Sequence, residues 1–137
     1  MDYSDDLIRQ ILTDSHVIAM VGASPKANRP SNGVMRFLIS RGHKVYPVNP
    51  ASVGETIHGE PVLASLSDIP EPIQMVDIFR RSELAGAAVD DAIKAGANTV
   101  WMQLDVIDDA AADRATKAGL SVIMDRCPVI EYRRLGL

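Results

Sequence analysis

Cysteine is almost missing from this chain, with Cys127 the only one among 137 residues. A single thiol excludes an internal disulfide and a metal site built from cysteines. Long apolar runs are missing too: none approaches the roughly 18 residues that a membrane-spanning helix needs. There is no excess of positive charge. The formal net charge is −4, which argues against nucleic acid or an anionic membrane as the main partner. Any anionic ligand must therefore be held by local positive features. The opening residues, MDYSDDLIRQ, are acidic and polar. They do not read as a signal or transit peptide, and a cytoplasmic location is expected.

What is present is a globular composition, 47% apolar, in a length that suits one domain over residues 1–137. The stretch from Val17 to Pro50 reads as one strand–helix–strand unit. Val17–Val21 is a short buried strand, and Gly22 ends it where a tight turn needs a residue without Cβ. Ser31 is placed to cap the following helix, with Val34, Phe37 and Leu38 on one face. Gly42 stops that helix, and Lys44–Val48 begins the next strand.

The rest repeats this grammar. Residues 5–13 read as a helix with Leu7, Ile8, Ile11 and Leu12 facing inward. Gly54, Gly59, Pro61, Pro70 and Pro72 exclude a long helix from their stretch, leaving a loop, a short strand near 61–63 and a turn around 67–69. Further strands are expected over 75–79, 99–104 and 121–124. Ser82 and Asp108 are read as caps of the intervening helices, which Gly96 and Gly119 end. Alternation of this kind forces parallel pairing through right-handed crossovers. The expected fold is α/β: a Rossmann-like, doubly wound parallel sheet of five to six strands with helices on both faces. Ligands of such sheets lie outside the carboxyl ends of the strands. The residues there are Gly22–Ser24, Asn49 and Pro50, Phe79–Arg81, Gln103 and Asp125–Cys127.

The first turn has the setting of a phosphate site, a helix start with free N–H groups and a positive dipole end. It departs from the dinucleotide fingerprint, which has three glycines and an acidic residue about 20 positions on. Only Gly22 fits, because Ser24 and Ala27 occupy the other glycine positions. The second strand ends in Asn49-Pro50, neither of which accepts a ribose diol as a carboxylate does. Lys26 and Arg29 suit a ligand richer in phosphate than a bare pyrophosphate.

No catalytic constellation assembles. His16, His43 and His58 lie before the first strand, before the second and in the proline-rich loop, away from the strand ends. Asp108 and Asp109 read as helix-start residues rather than an acid–base pair. The Gly22-Ala23-Ser24 turn is no hydrolase elbow, since Lys26 stands where that motif needs glycine. Arg126 beside Cys127 would favour thiolate character, whereas burial would oppose it. The residues alone point to a phosphate-bearing nucleotide.

VGASPKANRPS, VYPVNP, VDIFRRSE, VWMQL and VIMDRCP follow one another along the chain. In this order and spacing they resemble the small stand-alone CoA-binding proteins. Those are similar to the N-terminal CoA-binding domain of the succinyl-CoA synthetase α subunit. The likeness runs from about Thr13 to the C-terminus and implies coenzyme A, or an acyl-CoA, as ligand. It implies that the CoA pyrophosphate is held by Gly22, Ala23, Ser24 and Arg29, with Lys26, Pro30 and Ser31 in the same segment. Asn49 and Pro50 would flank the adenosine end, Phe79 and Arg80 would lie along the nucleotide and pantetheine, and Gln103 would close the pocket. Family members often carry lysine directly after the Asn-Pro pair. Ala51 stands there, so a contact from this position to the 3′-phosphate is not implied. The synthetase domain that carries the phosphorylated histidine has no counterpart, which implies binding without ligase chemistry and without metal. A dinucleotide (NAD or NADP) enzyme and a nucleotide-sensing regulatory protein remain as alternatives.

Overall fold

A computed structural model describes residues 2–137. Helix α1 (Asp5–Asp14) starts on Ser4, whose Oγ accepts from Leu7 N–H at 3.1 Å. Strand β1 (Val17–Val21) follows, then α2 (Pro30–Ser40) and β2 (Lys44–Val48). After a 3-10 turn at Pro50–Ser52 come β3 (Thr56–Ile57) and β4 (Glu60–Pro61). Strand β5 (Met75–Ile78), α3 (Ser82–Lys94), β6 (Thr99–Met102), α4 (Asp109–Lys117), β7 (Ser121–Ile123) and α5 (Pro128–Leu135) complete the chain.

The main sheet has five parallel strands in the order β2-β1-β5-β6-β7. The order reverses between β1 and β5, so the carboxyl ends diverge there and leave a crevice. Side chains alternate across the sheet. Ile18, Met20, Met75, Trp101 and Ile123 pack with α1, α2 and α5, whereas Ala19, Val21, Val76, Val100 and Met102 pack with α3 and α4. Alanines 85, 88, 92, 111 and 115 let α3 and α4 approach the second face closely.

Three local expectations are revised and one helix is added. The strand near 61–63 is replaced by the two-residue pairing of β3 with β4, and Leu63 makes only an isolated parallel bridge to Val48. Ser31 does not cap α2. Arg29 is the cap position and Pro30 the first helical residue, which frees the Ser31 hydroxyl to accept from Ser24 N–H at 3.0 Å. Ser82 likewise opens α3 rather than capping it. Its hydroxyl accepts from Ile107 N–H and donates to the Asp105 carbonyl, binding the loop after β6. Helix α5 was not expected. Asp108 does cap α4, accepting from Ala111 N–H at 3.0 Å.

Two glycines at positive φ illustrate different constraints. Gly22 (φ 85°) ends β1, and a Cβ there would run into the carbonyl oxygen of Phe79 at the end of β5. Gly42 (φ 93°) ends α2 with nothing within 4 Å of such a Cβ. Gly42→Ala is expected to cost about 1–2 kcal/mol, the left-handed penalty alone. Gly22→Ala is expected to cost about 3 kcal/mol or more, because strands must also separate. Urea unfolding of both variants checks this, and equal losses would contradict it.

Candidate functional site

The crevice at the strand ends is a cavity of about 570 Å³, within the range of small-molecule sites. Its floor is the turn after β1. That turn is held from both sides: Asn49 Nδ2 donates to the Ala23 carbonyl at 2.9 Å, and Asn32 Nδ2 donates to the Ser24 carbonyl at 3.1 Å. Ser24 Oγ accepts from Lys26 N–H at 3.2 Å, setting the next bend. The turn is therefore rigid before any ligand arrives.

Its electrostatics favour an anion. Helix α2 has no acidic residue in its first turn, so its positive end is uncompensated. Exposed Lys26 and Arg29 stand over that end. Neither is in an ion pair among the described residues. Asp105, at φ 67° on the far rim, is the cavity's one acidic lining residue.

Residues 16–133 match the model of the CoA-binding domain family. The chain belongs to that family. A hypothetical protein from Pyrococcus horikoshii OT3 is 41% identical, with a TM-score of 0.93 over 98% of this chain and 94% of that one. The uncharacterized protein YneT of Bacillus subtilis (strain 168) is 33% identical over 120 residues, 88% of this chain and 87% of its own. A dinucleotide forming acetyl-coenzyme A synthetase 1 of Ca. Korarchaeum cryptofilum, in complex with phosphate and ADP, is also similar. It shows 25% identity and a TM-score of 0.72 over 89% of this chain and 28% of that chain.

Of the residues singled out in the sequence, Gly22, Ser24, Lys26, Arg29, Pro30, Ser31, Asn49, Phe79 and Gln103 line this cavity together. Ala23 is buried beneath the turn. Pro50 and Arg80 line a separate hollow of about 190 Å³ behind β1, with Ser65, Leu66 and Asp91. Asn49 lines the cavity with both its polar side-chain atoms engaged: Oδ1 accepts from Ala51 N–H at 3.0 Å while Nδ2 holds Ala23. The histidines lie elsewhere. His43 is buried between the Ser15 carbonyl and the Tyr132 hydroxyl, and His58 meets the Asn32 carbonyl.

Cys127, also named among the strand-end residues, lines the cavity too, and Val34, Leu104 and Val106 join it. Val34 had been assigned only to the core face of α2. Cys127 is not activated. Burial pushes its thiol up, assisted by nearby Asp77 and Glu131 and opposed by the N–H groups at the start of α5. Arg126 does not help, since its guanidinium pairs with the Glu131 carboxylate at 2.9 Å.

Asp77 escaped the sequence reading altogether. It lies in the middle of β5, fully buried, with Met20 and Trp101 beside it in register. Gln103 Nε2 donates to its Oδ1 at 2.9 Å, and Oδ2 is the one buried side-chain polar atom without a partner among the described residues. Desolvation pushes its pKa up to about 7, against the Gln103 hydrogen bond that pulls it down. With Nε2 held below, Gln103 has its carbonyl oxygen left to offer a ligand. A lone acid in the apolar run Met75–Phe79 was the signal available.

The raised pKa has a consequence for stability. Folded Asp77 keeps its proton from about pH 4 to about pH 7 while the unfolded chain releases it. Its contribution to stability is therefore fully present below pH 4, falls as pH rises through that window, and is lost above pH 7. Asp77→Asn removes this slope, so the variant is expected to gain on the wild type between pH 4 and 7. Thermal unfolding at matched pH values checks it, and parallel profiles would contradict it.

Proposed function

We propose that this protein binds coenzyme A, or an acyl-CoA, in the cavity at the carboxyl edge of its sheet. The reading rests chiefly on Lys26 and Arg29, two unpaired cations over the uncompensated start of α2. A diphosphate on that turn would receive charge-assisted hydrogen bonds from both the helix start and these side chains. Membership in the CoA-binding domain family supports the same ligand. Gly22, Ser24, Pro30 and Ser31 would shape the pyrophosphate seat, with Ala23 supporting it from below. The pantetheine arm would pass Phe79 and offer an amide N–H to the Gln103 carbonyl. Pro50 and Arg80, in their neighbouring hollow, would serve the nucleotide end.

Asn49 supports CoA over NAD. A dinucleotide site places a carboxylate at the end of the second strand to accept the ribose diol. Here that position is an amide whose polar atoms already hold the backbone. We assign the chain, over residues 1–137, the role of a single binding domain without ligase chemistry of its own, acting in the cytoplasm.

Ligand at about 100 times its Kd stabilises a folded protein by roughly 2.7 kcal/mol, a melting shift of several degrees at this size. CoA is expected to give that shift in a thermal unfolding assay, and NAD and NADP none. Arg29→Ala is expected to weaken CoA binding about ten- to a hundredfold, with unliganded stability unchanged. A larger shift with NAD, or an unfolded Arg29→Ala apo protein, would overturn the assignment.

A further inference from the structure

We propose that the groove between α2 and α5 holds the acyl group of an acyl-CoA whose chain ends in a carboxylate. The inference rests on the reading of the cavity as a CoA site and extends it.

The groove, of about 640 Å³, shares Pro30, Val34 and Cys127 with the cavity, so the two spaces join between the start of α2 and Cys127. The sheet order sets the route. From the turn after β1, the strand ends run β5, β6, β7, three steps across the sheet, or about 14 Å at the usual strand spacing. An arm anchored by its phosphates at β1 and passing Phe79 and Gln103 arrives at Cys127, on the junction between cavity and groove. From that junction Val34 leads to Phe37, Val129 and Ile130, which form apolar walls, suited to methylene groups.

The far lining carries charge. Arg36 and Arg133 are both exposed, and neither is in an ion pair among the described residues. No carboxylate lines the groove. Glu131, the acid on α5, is buried and held by Arg126 and Arg134. The Phe37 wall is stiff: its ring meets Tyr132 edge-on with centroids 5.6 Å apart, and the Arg133 guanidinium lies 5.5 Å from its centroid. In a chain of net charge −4, two uncompensated guanidiniums beyond an apolar floor fit an aliphatic chain with a terminal carboxylate.

Gly33 supplies the test. It lies on the groove wall, in helical conformation, with nothing within 4 Å of an added Cβ. Leucine there favours the helix and projects into the groove. Calorimetric titration would compare CoA, acetyl-CoA, hexanoyl-CoA and adipoyl-CoA. On the wild type, adipoyl-CoA is expected to bind about three- to tenfold more tightly than hexanoyl-CoA, the gain being limited by exposure. Arg36→Gln with Arg133→Gln should erase that difference. Gly33→Leu should weaken both six-carbon ligands severalfold and leave CoA itself unchanged. CoA bound with no discrimination among acyl groups overturns this inference alone. Hexanoyl-CoA matching adipoyl-CoA overturns the carboxylate assignment. CoA failing to bind overturns the cavity reading and this inference with it. A dimer in sedimentation that Gly33→Leu dissociates would make the groove a contact between copies and likewise overturn it.

Discussion

The structure depends on a close approach of backbone to backbone at residue 22. The Phe79 carbonyl fills the space that a side chain there would need, and Gly22 N–H donates to the Val48 carbonyl at 2.8 Å. Strands β2, β1 and β5 thus meet at one peptide. Their carboxyl ends form a continuous ledge, and the chain can turn sharply from β1 toward α2. Any larger residue would push β5 away and misalign Phe79 and Gln103 with the turn. The geometry of the cavity follows from this contact, because its lining residues Asn49 on one side and Phe79 on the other follow strands that meet there.

Rigidity and charge are divided between different residues. Asn32, Asn49, Ser24 and Ser31 spend their polar atoms on the loop itself. The side chains with charge to offer, Lys26 and Arg29, take no part in holding it. A site arranged this way has little to reorganise on binding, which limits the entropic cost of association. Asp77 is the exception to economical burial. It sits desolvated under Gln103, and an apolar residue there would destabilise less. Its one evident service is to orient the Gln103 amide.

Much of the architecture was legible because each strand–helix unit carries its own punctuation. Gly42, Gly96 and Gly119 mark helix ends, and Val17–Val21 reads as a buried strand from its unbroken apolar run. Asp108 announced a cap and acted as one. Ser31 and Ser82 announced caps but found better partners in space, in Ser24 N–H and in the loop after β6. The sequence cannot rank a local cap against a tertiary one. Helix α5 was hidden because it has only eight residues and its buried face includes Glu131, an acid made apolar in effect by two arginines. The 61–63 segment is irregular because Pro61 and the turn at His58-Gly59 restrict its pairing.

The site was legible as a ledge of strand ends but not as a volume. Ten of the residues singled out from the sequence, Cys127 among them, share the cavity, whereas Pro50 and Arg80 fall into a neighbouring hollow. Pro50 and Arg80 each directly follow a cavity-lining residue, Asn49 and Phe79, and the alternation of side chains along an extended chain turns them to the other side, which a reading by strand ends alone does not separate. Cys127 was read with two opposing influences, Arg126 and burial; burial prevails, and Arg126 is engaged with Glu131. The central claim is that the turn after β1 seats the phosphates of CoA. Backbone amide shifts followed during a titration of labelled protein with CoA test it most directly. The account predicts the largest changes at Ala23, Ser24, Arg29 and Ser31, with smaller ones extending to Gln103. Changes confined to the face formed by α3 and α4, with this turn silent, would contradict it.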